Sequence, residues 1–354
     1  MRNFGDDLFG YVAHHAQRKY WPDFTSSVLA PQIADLDLEF SVPWLLGVAY
    51  HRHDRIGALS RAAAASSAML LHEKLIYAGG SIFTGRSGVR SITRVLPRRR
   101  ISAIGVSVGP FASERHRRRA TSEIEKLEFI TVRDQESARV AASLGVRAIQ
   151  SADLAGLLPS FLPLSIKRSR SSKRRLVFVP CSNKSTIGLT ADAFCESFIK
   201  SICRIDSARE LKVEILILND HPKTSDEPLA RTVSKQLRNE GFDVKAFSYS
   251  SVGLNRAVEI LASSDLVVSG RLHGAIVAYM YQAPFVLNEY HEKCASFLDD
   301  VGVPDQLRSS LVGLQEAIEN ALQSPQMPGI APADYSELAA RSFTSAPWYR
   351  RCGV

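Results

Sequence analysis

With 354 residues, 45% of them hydrophobic and 23% charged, the chain is too long for one small core and too apolar to be disordered throughout, so two globular domains are expected. Its net charge of +8 and isoelectric point near 9.3 favour anionic partners: phosphorylated metabolites, acidic glycans, lipid headgroups or nucleic acid. Five cysteines (Cys181, Cys195, Cys203, Cys294 and Cys352) with no CxxC pair argue against a disulfide framework or zinc ribbon and for reduced thiols in the cytoplasm; the opening MRNFGDDLFG has no apolar signal core, and no apolar run approaches the ~18 residues of a membrane span.

The first strand expected in chain order is 74–78 (KLIYA), ending in Gly79-Gly80. Residues 31–61 match no clear pattern, and 62–69 reads as helix. Next come 101–108 (ISAIGVSV), closing on Gly109-Pro110, and 129–132, closing on Arg133-Asp134. Asp134 is placed to cap a helix over 135–144 that stops at Gly145, with a further strand over 146–151. A stretch with Pro159, Pro163 and the basic run 167–175 marks a domain boundary, dividing the chain into an N-terminal domain (1–165) and a C-terminal domain (166–325).

The second domain is plainer. Apolar runs at 176–180 (LVFVP), 211–218 (LKVEILIL), 265–269 (DLVVS) and 284–287 (PFVL) alternate with helical patterns at 191–203, 229–239, 254–262 and 272–281. That alternation predicts parallel βαβ units, in which ligands lie beyond the carboxyl ends of the strands. The tail, 326–354, is rich in Pro, Ala and Ser, with a short helix over 337–342 expected to pack back on the first domain. The fold class is α/β, two Rossmann-like domains with mostly parallel sheets and a site in the cleft between them.

The sharpest motif is Ser269-Gly270-Arg271-Leu272-His273-Gly274, at the passage from a strand to a helix. A helix start presents N–H groups and a positive dipole end to an anion. Arg271 adds a fork suited to phosphate or carboxylate, and His273 a group that titrates near neutrality. Gly270 and Gly274 would let a ligand approach the backbone; the alternative is a helix-capping turn with a hydrogen-bonded histidine. Gly79-Gly80-Ser81 and the segment 105–111, with Ser107, are weaker anion candidates, with tight turns as the alternative. Arg133 could reach an anion from its strand end or pair with Asp134 or another carboxylate. The basic runs at 98–100, 115–119 and 167–175 read as solvated loops and helix faces. No metal site is expected: His14-His15 and His51-Arg52-His53-Asp54 lack a third ligand at a recognisable spacing, and His291-Glu292 lacks a second histidine.

Seven blocks occur in order: Asn3 to Asp7 (NFGDD), Ala78 to Ile82, Gly105 to Phe111, Arg133 to Ser137, Asp153-Leu154-Ala155, Ser264 to His273, and Tyr290 to Gly302. Together they resemble the polysaccharide pyruvyl transferase family, and the SGRLHG block with the following Pro284 and Lys293 is the most specific part. The resemblance implies a glycosyltransferase B arrangement, phosphoenolpyruvate as donor substrate and no cofactor. By position, Arg271 and His273 match the family's Arg-x-His donor site, with Leu272 between them supplying an amide. Arg133 matches the arginine that holds the donor's anionic end, Lys293 a lysine near that site, and Asn3 and Asp6 the opening loop that faces the cleft, where Gly80, Ser81 and Ser107 are also expected. Family members usually carry a strand before the NxGD loop; only Met1 and Arg2 precede it here, which leaves three readings open: the strand is missing, the start is misplaced, or the strand is supplied differently.

The implied partners are phosphoenolpyruvate and a saccharide acceptor, lipid-linked or free, for an enzyme in the cytoplasm or on the inner membrane surface. Two other readings remain: a nucleotide-sugar glycosyltransferase, and a basic scaffold for acidic polysaccharide or nucleic acid. The basic residues lack the interleaved aromatics of a nucleic-acid platform, and no nucleic-acid partner is expected.

Overall fold

A computed structural model describes residues 3–26, 72–85, 101–166, 174–183, 190–205, 210–221 and 224–349, with isolated positions between 56 and 67. The expectations for 31–55, for most of 56–69, for Arg98 to Arg100, for residues 167–173 and for Cys352 lie outside the described residues.

The residues fall into two compact units. One holds Phe9–Leu157 and Ser336–Val354, the other Arg2–Leu8 and Leu158–Tyr335. The division after Leu157 comes a few residues before the expected boundary. Residues 326–335 cluster with the second unit, and the tail joins the first unit only from Ser336.

In the first unit, β1 (Leu75–Ala78), β2 (Ile101–Val106), β3 (Phe129–Val132) and β4 (Ile149–Gln150) form a parallel sheet in that order. Every residue of β2 and β3 is buried, which is why the inner strands are continuous apolar runs rather than alternating ones. Gly105 interrupts β2 at a positive φ of 59°, and a Cβ there would stand 2.6 Å from Leu154 Cγ; only glycine fits this irregular step. Helix α1 (Phe4–Tyr20) starts at the NFGDD block. After β2 comes α2 (Glu114–Ile124), which carries the basic run 115–119; its Glu114 side chain lies 4.0 Å from Arg117 and 3.8 Å from Arg118. Helix α3 (Gln135–Ser143) begins as expected, the Asp134 carboxylate accepting from Ser137 N at 2.6 Å.

In the second unit, β5 (Arg175–Val179), α4 (Ala191–Arg204), β6 (Lys212–Ile217), α5 (Glu227–Asn239), β7 (Asp243–Ser248), α6 (Tyr249–Ala262), β8 (Leu266–Ser269), α7 (Leu272–Met280) and β9 (Phe285–Leu287) follow in sequence. The sheet is parallel throughout, in the order β7-β6-β5-β8-β9. Strands run one way from β5 to β7 and then return to the other side of β5 for β8 and β9. The sheet's topological switch point therefore lies between the carboxyl ends of β5 and β8, where doubly wound sheets hold ligands. Helices α8 (Glu292–Val301), α9 (Leu314–Gln323) and α10 (Pro332–Thr344) complete the described chain.

From Ser336 onward, α10 packs in the first unit. The Trp21 indole donates to Phe343 O at 3.0 Å, and the Ser342 hydroxyl stands 3.0 Å from Thr131 Oγ1 and 2.8 Å from Ser151 Oγ. Where a helix was expected over 337–342, the chain forms the longer Pro332–Thr344, which begins in the second unit and continues in the first.

One buried acid gives a stability prediction. Asp7 is 1% exposed, accepts from Tyr249 OH at 2.8 Å, and is pushed up to about 6 by burial. The native carboxyl holds its proton more tightly than the unfolded one, so this group's contribution to stability is fully present below about pH 4 and is lost as pH rises through about 6. Asp7→Asn keeps an acceptor for Tyr249 without the charge. It is expected to add on the order of 2 kcal/mol above pH 6 and nothing below pH 4, read as a thermal-midpoint difference that vanishes in acid.

Candidate donor site in the second unit

The switch point is occupied by the SGRLHG junction. Ser269 ends β8, and its hydroxyl donates to Arg271 O at 2.6 Å while accepting from Arg271 N at 3.1 Å. Gly270 N donates to Val179 O at 2.7 Å, tying the turn to the end of β5. This closed turn sets Arg271 as the N-cap of α7, with Leu272 and His273 as its first helical residues.

The two glycines serve packing rather than ligand approach, which corrects the sequence reading. A Cβ on Gly270 would stand 2.9 Å from Cys181 Cβ and 3.0 Å from Phe194 Cε1. One on Gly274 would stand 2.5 Å from the Ser269 hydroxyl. Protein atoms fill the space that the glycines leave.

The Arg271 fork already has a partner. Its Nη2 donates to Asp226 Oδ1 at 2.7 Å and its Nε to Asp226 Oδ2. The Asp226 side chain is 0% exposed and that of Arg271 13%. Burial, the largest single influence, would make the guanidinium easier to deprotonate; the hydrogen bond to Asp226 and the charges of Asp226, Cys181 and Tyr290 together outweigh it and raise its pKa. Asp226 also accepts from Ser182 N at 2.8 Å, while its own N–H donates to Asn219 O at 2.8 Å. Nη1 of Arg271 makes no hydrogen bond among the described residues. Asp226 escaped the sequence reading: Ser225-Asp226-Glu227-Pro228 looks like any helix start.

His273 sits against the first turn of α1. Asn3 forms an antiparallel bridge with Asn219, Phe4 N donates to Leu218 O at 3.0 Å, and Gly5 N donates to Asn3 Oδ1 at 3.1 Å. The NFGDD block is therefore a capped helix start anchored at the end of β6, not a loop. A Cβ on Gly5 would fall 2.3 Å from His273 Nδ1, so glycine is what lets the imidazole lie there. Asp6, next along, is open to solvent. The protein crowded around its carboxyl nonetheless raises its pKa, against the pull of His273, Lys293 and Arg271.

Lys293 lies in the first turn of α8, with Nζ 5.7 Å from the centre of the Tyr290 ring. The loop before α8 is braced by Glu289, which accepts from Arg308 Nη2 at 2.6 Å. Tyr290 is buried, and burial holds its phenol well above the ordinary range. Asn3, Asp6, Arg271, Leu272, His273 and Lys293 thus share one unit; Gly80, Ser81, Ser107 and Arg133 belong to the other.

In that other unit, several of the amides expected to be open are engaged. Gly79 N donates to Ile104 O, Ser107 N to Gly80 O, Val108 N to Ser137 Oγ and Gly109 N to Phe83 O, at 2.8 to 3.1 Å. Gly79 and Gly80 take φ of 70° and 86°, so the tight-turn reading explains them; Ser81 is exposed. The Arg133 side chain is 4% exposed and lies 3.4 Å from Asp134 and 3.2 Å from Asp153. Pairing with carboxylates, the second of the two roles expected for it, is what its surroundings show.

The model for polysaccharide pyruvyl transferase matches residues 3–292, most of the chain. The chain belongs to the polysaccharide pyruvyl transferase family. No curated protein matches it. Among solved structures it is similar to S. aureus MnaA with UDP (TM-score 0.62, 10% identity, 96% of this chain and 88% of that one). It is also similar to a UDP-N-acetylglucosamine 2-epimerase (TM-score 0.60, 10% identity, 99% and 95%) and to the Neisseria meningitidis UDP-GlcNAc 2-epimerase bound to UDP-GlcNAc (TM-score 0.58, 10% identity, 97% and 95%). At such identity these likenesses establish the fold: two Rossmann-like units of the glycosyltransferase B kind, as expected. Among the described residues of this pyruvyl transferase family member, no helix is long and apolar enough to cross a membrane, and no group of three His, Cys, Asp or Glu side chains could hold a metal.

Gly5→Ala tests the seat of His273. Alanine favours a helix over glycine by ~1 kcal/mol, so the variant is expected to stay folded. The displaced ring is expected to lower kcat about 10- to 100-fold with little change in donor KM; steady-state kinetics beside a thermal melt read both.

Proposed function

We propose that the protein transfers a pyruvyl group from phosphoenolpyruvate to a sugar of a surface-polysaccharide precursor, closing a cyclic ketal and releasing phosphate. The observation that carries this reading is the pairing of Arg271 and His273 at the switch point of the second sheet, with Lys293 near enough to share their pull on Asp6, within a chain of this family.

Phosphoenolpyruvate carries a phosphate and a carboxylate on one carbon. Arg271, through its Nη1 edge, Lys293 and the amides opening α7 offer it cations and donors. His273 as imidazolium gives a proton to the methylene carbon, which becomes the methyl group. A sugar hydroxyl bonds to the central carbon and loses its proton, and the C–O bond to phosphate breaks, with the electron pair leaving on phosphate. A second hydroxyl of the same sugar then takes the vacated position, closing the ketal and losing its own proton. Cations beside the phosphate stabilise the leaving charge, and imidazole returned by the first step can accept a hydroxyl proton. The scheme uses phosphoenolpyruvate as donor substrate and no cofactor. Arg133, paired within the first unit, is assigned no contact with the donor. The acceptor is a saccharide, and the positive net charge suits an enzyme working in the cytoplasm against an anionic membrane surface.

Phosphate release from phosphoenolpyruvate, with and without cell-envelope oligosaccharide, tests the reading. Release that requires the oligosaccharide is expected. Consumption of a nucleotide sugar with phosphoenolpyruvate untouched would replace it with the glycosyltransferase reading.

A further inference from the structure

We infer that Asp226 is a positioning residue for anion binding: by clamping Nε and Nη2 of Arg271 it turns the Nη1 edge toward the ligand. The inference rests on the reading of Arg271 as the ligand of the donor's phosphate.

Asp226 is placed from three directions. Its main chain is fixed to Asn219 at the end of β6. Its carboxylate takes Ser182 N from the segment after β5, and Arg271 reaches it from the end of β8. One fully buried carboxylate therefore gathers the ends of the three central strands, β6, β5 and β8. A long arginine side chain carries about 2 kcal/mol of rotamer entropy, and the two bonds to Asp226 freeze it before any ligand arrives. Preorganisation of this kind strengthens binding without a new contact to the ligand.

Electrostatics alone argues the opposite way. A carboxylate beside an anion site repels the anion, so removing its charge should tighten binding. Positioning predicts weaker binding, because the guanidinium would lose its fixed orientation. The two accounts differ in sign, which makes the inference decidable.

The test is the affinity of the full-length protein for inorganic phosphate, the released product, and for phosphoenolpyruvate, by calorimetry. Asp226→Asn, whose amide cannot receive both guanidinium donors, is expected to weaken both about 10- to 100-fold, a charge-assisted hydrogen bond being worth about that factor. Asp226→Glu is expected to recover part of the loss. In an Arg271→Ala background Asp226→Asn is expected to have no further effect on phosphate affinity, which a merely structural role would not produce. Melting curves accompany each variant; should Asp226→Asn not fold, the comparison of Asp226→Glu in the two backgrounds decides in the same way. Binding of phosphate by Asp226→Asn as tight as in the parent, or tighter, overturns the inference. If the parent binds phosphate and not phosphoenolpyruvate, the donor assignment fails, and the phosphate measurements still judge Asp226.

Discussion

His273→Ala is expected to lower kcat by roughly 10²- to 10⁴-fold, the range for loss of a positioned general acid or base, while the melting temperature moves little. Protonation of the methylene carbon and deprotonation of a sugar hydroxyl both need a group that can hold and release a proton, and the imidazole is the one such ring at the α7 start. Its setting supports that assignment. The side chain is half-buried, backed by the first turn of α1, in a space that a single Cβ at Gly5 would take away. A histidine held for packing alone would cost stability when removed and leave transfer intact. Transfer at the parent rate in a folded His273→Ala protein would strip His273 of its chemical role.

Arg271→Lys is expected to raise the donor KM by about 10- to 100-fold and to cost stability as well. Lysine keeps the charge but cannot make two parallel bonds to Asp226 while offering a third donor edge outward. Because Asp226 is fully buried, any bond it loses goes unreplaced by water, at about 1–3 kcal/mol. Unchanged donor affinity in this variant would show that Arg271 does not hold the phosphate. The melting curve separates the two effects: a lower midpoint with unchanged KM would mark a structural arginine only.

Much of the second unit was legible because its inner strands are buried on both faces and so read as largely apolar runs, with Glu214 the one buried charge of β6. Strand β7 was not, since DVKAFS leaves Asp243, Lys245 and Ala246 exposed at the sheet's edge and shows no apolar run. Helix α1 hid behind NFGDD, where a cap residue, a glycine and two acids look like a loop until Asn3 is seen capping a helix. The SGRLHG junction was legible as a passage from strand to helix, because its apolar strand and its glycines mark it locally. Its partners were not, for they come from far away in sequence: Asp226 is 45 residues from Arg271, and Gly5 meets His273 from the other end of the chain. The glycines misled for a related reason. Sequence shows that a side chain is missing, but not whether a ligand or Cys181 and Phe194 fill the space.

The central claim is that Arg271 and His273 hold and protonate an enolic phosphoester for transfer to a sugar. Mass analysis of cell-envelope oligosaccharides after incubation with the protein and phosphoenolpyruvate tests it most directly. A pyruvyl unit gained by the sugar, with one phosphate released for each unit gained, is the predicted result. Oligosaccharides that leave the incubation unaltered, with the phosphoenolpyruvate intact and the protein folded, would contradict it.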